Sequence, residues 1–198
     1  MKLVLATQNP KKLKEMNEIL SHLGVEVVSE AELGVRIEVE ETGDTFTDNA
    51  RLKATAVMQA TGLPAVADDS GLCVDALNGG PGVYSARFGG EGLDDKGRYT
   101  LLLEMLRGQT DRAAHFHTSI VCAFPNGDEL VCEDECPGTI AFAPMGEGGF
   151  GYDPVFFVPE LRKTFGQLTA EEKASVSHRG KALRAFAAAL DDYLKGNE

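Results

Sequence analysis

Residues 64–71 read PAVADDSG, and the placement of this octet decides the fold. Pro64 suits the first residue of a strand, and Ala65-Val66-Ala67 has the small apolar character of a buried one. Two adjacent carboxylates, Asp68 and Asp69, then break the apolar run, with Ser70 and Gly71 behind them. A carboxylate at the end of a buried strand is costly unless something pairs with it. A helix N-terminus, nearby cations or a metal ion would each satisfy that condition. On an extended chain neighbours point to opposite faces, so Asp68 and Asp69 are not expected to share one proton. Instead one of them faces a cleft, where it can bind Mg²⁺ or activate water.

Working outward, PAVAD, ending at Asp68, is the third strand of a βαβαβ run. Lys2 to Ala6 reads as the first strand. Asn9 is a good N-cap and Pro10 suits the first helical position. Leu13, Met16, Ile19, Leu20 and Leu23 then share one helical face, and Gly24 stops the helix. Val25 to Val28 is the second strand. Thr45 and Asp48 open a second helix in the manner of a capping box, and Gly62 closes it. Downstream of the octet, the glycine-rich stretch 78–92 predicts a loop, and Leu93 to Leu106 a third helix.

Residues 113–136 switch to period two around the turn PNGD, which predicts a β-hairpin. GTIAFAP adds a candidate strand, and YDPVFFVP another. The tail LTAEEKASVSHRGKALRAFAAALDDYL is helical, with Thr169 and Glu172 capping its first part. The expected class is α/β: a mixed central sheet with flanking helices, one domain over residues 1–198 with two lobes around a cleft.

Composition narrows the function. The 198 residues carry a formal net charge of −12, whereas general nucleic-acid binders show a basic excess. Polymeric DNA or RNA is therefore not an expected partner. A small phosphorylated ligand needs only a local group of cations, and an acidic surplus suits a divalent metal. No stretch has the length of a membrane span, and the apolar run Leu3 to Ala6 is too short for a signal peptide. The expectation is an intracellular, cytoplasmic protein. Cys73, Cys122, Cys132 and Cys136 form no CxxC pair and read as reduced thiols.

Four motifs can carry chemistry. In ATQNPKK a strand runs into a helix N-terminus, whose free N–H groups and dipole favour an anion. Thr7, Gln8 and Asn9 offer polar contacts there, and Lys11 and Lys12 add charge after Pro10. The same residues also suit a plain capped helix. The acidic run Glu38, Glu40 and Glu41, with Asp68 and Asp69, can supply metal oxygens, Glu40 being the candidate second ligand. Alone, the run reads more readily as surface charge.

GEGGFGYDP matches GxGxxG through Gly146, Gly148 and Gly151, but β-rich sequence follows where a dinucleotide fingerprint needs a helix. Phe150 and Tyr152 among glycines can instead stack on a base, and Asp153 can read its edge. A tight bend with buried aromatics fits equally well. In EEKASVSHRG, Lys173, His178 and Arg179 stand where one helix ends and another begins, and their donors suit a carbonyl or phosphate. His115 and His117 share a strand face without a third ligand and read as structural or surface residues. GxSxG, HExxH and GxxxxGK[ST] are absent, which removes the main support for a serine hydrolase, a zincin and a P-loop NTPase.

Taken together, these motifs are the parts of a nucleotide-hydrolysing site. LATQNPKKLKE, EETGDTFTDNARLKA, LPAVADDSGLCVDAL, PGVYSARF, GGFGYDPVFF and EEKASVSHRGKAL run nearly end to end through the chain. In that order and spacing the sequence resembles the inosine/xanthosine triphosphate pyrophosphatases. The resemblance implies a two-lobed α/β homodimer with the nucleotide in the cleft. It implies Mg²⁺-dependent hydrolysis of inosine, deoxyinosine and xanthosine triphosphates to the monophosphate and pyrophosphate.

Carried over, Thr7, Asn9 and Lys12 contact the triphosphate, with Lys53 and Ser70 near the phosphates. Asp69 is general base and metal ligand, Glu40 a further metal ligand, and Asp68 a support. Phe150, Gly151, Tyr152 and Asp153 form the base-and-sugar pocket, while Lys173, His178 and Arg179 recognise the purine oxygens. Gln8 stands where the family commonly has Gly. A nucleotide sensor without catalysis, or a hydrolase removing a single phosphate, would be the rivals.

Overall fold

The computed structural model describes residues 1–7, 9–90 and 92–196, apart from the side chains of Pro10 and Lys11. Among these residues twelve helices and strands follow one another: β1 (Lys2–Leu5), α1 (Pro10–Leu20), β2 (Glu26–Ser29), α2 (Phe46–Thr61), β3 (Ala65–Val74), α3 (Asp95–Met105), β4 (Ala113–Ala123), β5 (Glu129–Ile140), β6 (Phe156–Val158), β7 (Lys163–Thr164), α4 (Ala170–Val176) and α5 (His178–Gly196). The strands form one seven-stranded sheet in the order β2-β1-β3-β4-β5-β6-β7. β1 pairs parallel with both β2 and β3, while β6 pairs antiparallel with β5 and β7. The sheet is mixed and carries flanking helices, as expected from the sequence.

Contacts divide the chain into two compact units. The first comprises Met1–Asp69, Thr118–Asp134 and Ala182–Glu198. Its strands alternate as buried strands must. Leu3, Leu5 and Val66 join Met16 and Leu20 of α1 and Phe186 and Leu190 of α5 in one core. Val4 and Ala65 instead meet Val57 of α2, and Ala67 meets Ala50 and Ala54 of the same helix. α1 and α2 therefore cover opposite faces of β1 and β3. That alternation, continued two residues further, decides where Asp68 and Asp69 point.

The second unit comprises Ser70–His117 and Glu135–Lys181. Its core gathers Leu72, Val74, Leu102 and Leu106 with a trio of phenylalanines. Phe116 stacks on Phe165 with centroids 5.7 Å apart, and both meet Phe156 edge-on at 4.7 and 4.9 Å. Each fully buried ring contributes roughly 2–3 kcal/mol of apolar transfer.

Several boundaries differ from the sequence reading. β3 does not end at Asp68; it runs through both carboxylates to Val74. A strand flanked by β1 and β4 has its peptide groups paired, and the two carboxylates find lysines rather than solvent. GTIAFAP is not a separate strand: β5 is 12 residues long and already reaches Ile140. The strand in YDPVFFVP shrinks to Phe156–Val158, and the two-residue β7 was not anticipated.

The break between α4 and α5 falls where expected. Ser177 is extended (ψ 148°), and its Oγ accepts the Gly180 N–H at 3.1 Å. Gly180 itself allows the close approach, since a Cβ there would lie 2.0 Å from the Ala174 carbonyl oxygen.

Candidate active site

In the first unit, the end of the apolar run in β3 meets both covering helices. Asp68, like Val66, faces α1: Lys12 Nζ donates to Asp68 Oδ2 at 2.7 Å, with the carboxylate side chain only 4% exposed. Asp69, like Ala67, faces α2, where Lys53 Nζ donates to Asp69 Oδ1 at 3.2 Å. The same ammonium donates to Glu41 Oε1 at 2.8 Å and to the Asp68 carbonyl at 3.0 Å. All three donor positions of Lys53 are thus used.

Burial pushes the Asp69 carboxyl above its ordinary value, with Glu41 adding to the rise and Lys53 opposing it. Burial works against the Lys53 ammonium, but Asp69, Glu41 and Asp68 outweigh it and the net displacement is upward. Thr118 Oγ1 donates to the Asp69 carbonyl at 3.3 Å and holds the strand from β4.

Of the acidic run, it is Glu41 that reaches Lys53, whereas Glu40 is exposed. The Asn9 carbonyl accepts the N–H groups of Lys12 and Leu13 and so opens α1. Thr7 Oγ1 accepts the Asn9 N–H at 3.2 Å. A cavity of about 290 Å³ is lined by Thr7, Glu30, Glu38 and Lys53 together with apolar neighbours. Gln8 lies outside the described residues, as do the side chains of Pro10 and Lys11.

In the second unit, the glycine-rich segment 146–151 is fixed by its own backbone. Gly148 N–H donates to the Gly166 carbonyl at 3.0 Å, and Gly166 N–H to the Asp153 carbonyl at 2.8 Å. Gly149 has φ +81°, and a Cβ there would fall 1.9 Å from Asp153 Oδ2. That oxygen accepts the Phe150 N–H at 2.9 Å and pairs with Lys173. The Asp153 carboxylate is therefore turned into the loop it closes. Burial raises its carboxyl above the ordinary value, against the pull of Lys173.

Phe150 is left 68% exposed, with the Lys173 ammonium 4.5 Å from its ring centroid and 5.3 Å from that of Phe165. Tyr152 is buried, donates to the Ser85 carbonyl at 2.8 Å and has its hydroxyl pushed by burial to about 12. It anchors the loop, and Phe150 alone of the two rings is open for stacking. His178 stacks on Phe116 at 4.8 Å, and Arg179 follows it, half-buried, in the first turn of α5. Ser70, half-buried, opens this unit's part of β3.

Three residues take roles that the sequence alone does not assign. Glu41 could not be separated from Glu40 by an acidic run alone. Asp95 Oδ2 accepts the Gly151 N–H at 2.7 Å, a tie from the start of α3 to the loop tip that local sequence hides. Asn49 occupies the buried stripe of α2 with Phe46, Ala50, Ala54 and Val57; a polar residue at a core position of an amphipathic helix was the available signal.

Among the described residues, no group of three or more His, Cys, Asp or Glu is arranged to hold a metal ion. Mg²⁺ needs less than that when substrate phosphates are present: one or two carboxylates, with water and phosphate oxygens completing the octahedron. The hard oxygen donors at Asp69 and in the acidic run fit that requirement. No helix searched is long and apolar enough to cross a membrane.

Known proteins are similar to this chain in sequence and in shape. The family model described as the Ham1 family matches residues 3–189. A dITP/XTP pyrophosphatase of an Exiguobacterium species is 50% identical over 99% of this chain and 100% of its own. That of Thermus thermophilus is 52% identical over 97% and 93%. The structure of a HAM1 protein from Coxiella burnetii superposes with a TM-score of 0.93 at 42% identity, covering 97% of this chain and 99% of that one. The nucleoside-triphosphatase / dITP/XTP pyrophosphatase from Mycobacterium abscessus superposes with a TM-score of 0.82 at 47% identity, covering 94% and 98%. The resemblance read from the motifs holds, and the chain belongs to the Ham1 family.

Proposed function

We propose that this chain hydrolyses non-standard purine nucleoside triphosphates, those of inosine, deoxyinosine and xanthosine, to the monophosphate and pyrophosphate. The observation that carries the reading is the half-buried Asp69 carboxylate beside Glu41, both held by the one ammonium of Lys53. A simple binder of a triphosphate gains little from carboxylates next to phosphates, whereas a hydrolase needs a base. The names carried by the relatives, dITP/XTP pyrophosphatase, point the same way.

In this reading Asp69 accepts a proton from water as the water oxygen bonds to the α-phosphorus. The bond from that phosphorus to the bridging oxygen breaks, and pyrophosphate leaves with its electron pair. Burial, by raising the proton affinity of Asp69, favours the transfer. Lys12, Lys53, Thr7, Asn9 and Ser70 bind and orient the phosphates. Mg²⁺, held by Asp69 with Glu40 as second ligand, would neutralise phosphate charge when bound.

The base stacks on Phe150, and Lys173, His178 and Arg179 offer donors to a six-oxo group. An adenine amino group leaves such donors unpaired, which is the source of discrimination. The family reading also carries the expectation of a homodimer, which the molar mass in solution measures.

The test is product analysis with inosine, adenosine and guanosine triphosphates, each with and without Mg²⁺. Metal-dependent inosine monophosphate and pyrophosphate, with little turnover of the other two, supports the reading. Orthophosphate, or tight binding without product, overturns it.

A further inference from the structure

We infer that Asn49 is a positioning residue for Asp69: one end of its amide clamps the segment bearing Glu41, and the other faces the Asp69 carboxylate. The inference rests on the pyrophosphatase reading for its kinetic consequences and on geometry for its substance. Asn49 is a fully buried polar residue, 0% exposed, in the first turn of α2. Its Oδ1 accepts the Gly43 N–H at 2.8 Å. A Cβ at Gly43 would lie 2.7 Å from the Asp48 Cβ and 2.8 Å from Asn49 Oδ1, so only glycine lets the segment after Glu41 come this close.

That contact fixes the amide. Turning it over would set the NH₂ against the Gly43 N–H, donor against donor. Nδ2 is therefore held on the far side, where it is buried and makes no hydrogen bond among the described residues. Asn49 lies one helical turn before Lys53, whose ammonium reaches both Glu41 and Asp69, so the amide sits on the side of α2 that faces this carboxylate. Of the two, it is Lys53 that donates to Asp69 Oδ1, at 3.2 Å. One face of α2 thus presents an ammonium and an amide to one carboxylate.

Lys53 also ties Glu41, and Asn49 ties Gly43, so α2 couples the position of the acidic segment to the orientation of Asp69. A buried amide donor left idle is costly. It is explained if the Asp69 carboxylate closes onto it when the site is loaded.

Asn49→Asp separates the two ends: it keeps an acceptor for Gly43 but removes the donor toward Asp69. It should lower kcat for inosine triphosphate by about 10- to 100-fold, with KM changed by less than about twofold. Asn49→Ala should cost a similar factor in the parent but less than about twofold in an Asp69→Asn background, because the residue acts through Asp69. A readout independent of turnover is the side-chain amide resonance of Asn49, which should shift on Asp69→Asn.

Asn49→Asp with parental kcat, an undiminished Asn49→Ala cost without Asp69, or an unmoved resonance would each overturn the inference. Absence of pyrophosphate release by the parent would overturn the enzymatic reading instead, and the resonance would still judge the clamp.

Discussion

The two groups of candidate site residues are built on opposite physical plans. In the first unit, buried and half-buried charges are paired on regular elements: Asp68 and Asp69 on β3 face Lys12 of α1 and Lys53 of α2. In the second unit, a cation lies against aromatic rings beside a glycine-rich loop, and the ring offered to solvent, Phe150, is 68% exposed. A phosphate chain and the water that attacks it demand fixed charge, because misplacement by about an ångström costs orders of magnitude in rate. A base is a flat apolar surface with a few polar edges, and a ring on a loop can receive it with less precision. The contrast predicts that changes in the first group act on kcat and stability, and changes in the second on binding and selectivity.

The largest effect should come from Asp69→Asn. It keeps the shape and removes the base, so kcat should fall by about 10³-fold while inosine triphosphate still binds. Steady-state kinetics with a parallel binding measurement checks this, and parental kcat would end the assignment. Next comes Lys53→Ala, which leaves Asp69 and Glu41 without their shared ammonium. Removing one partner from a mostly buried charge group costs about 3 kcal/mol, read as a lowered denaturant midpoint. An unchanged midpoint would mean that the group is better solvated than its burial implies.

Phe150→Ala sharpens the comparison from the other side. A stacking ring is worth about 1–2 kcal/mol per base, so KM should rise roughly tenfold with kcat nearly parental. A fall in kcat alone would show the loop to be part of the phosphate chemistry.

The smallest effect concerns pH. The Asp153 carboxyl is raised above its ordinary value by burial, although Lys173 opposes the rise. The folded state then binds more protons than the unfolded one, and stability declines as pH climbs from the unfolded carboxylate value toward the raised folded one. Lys173→Met removes the opposing charge. It should steepen that decline by at most about 1 kcal/mol per pH unit, seen in melting temperatures between pH 4 and 7. A parallel profile in parent and variant would contradict the pairing.

Much of this was legible in the sequence, and the reason is periodicity. The alternation that puts Val66 toward α1 and Ala67 toward α2 is readable from PAVAD, and it carries on to place Asp68 and Asp69 on opposite faces. Capping was equally readable: Thr45 accepts from Asp48 N–H and Thr169 from Glu172 N–H as their spacing implies. What was hidden depended on tertiary partners. Asp68-Asp69-Ser70-Gly71 reads as a strand end because local sequence does not reveal that two lysines wait on the covering helices. Glu40 and Glu41 are indistinguishable until Lys53 selects one. The tie from Asp95 to Gly151 spans 56 residues and leaves no local trace.

The central claim is that Asp69 delivers water to the α-phosphorus. Hydrolysis of inosine triphosphate in ¹⁸O-labelled water tests it directly, by mass spectrometry of both products. The account predicts one labelled oxygen in inosine monophosphate, none in pyrophosphate, and loss of the labelled product in Asp69→Asn. Label in pyrophosphate or orthophosphate, or undiminished labelling of the monophosphate by Asp69→Asn, would contradict it.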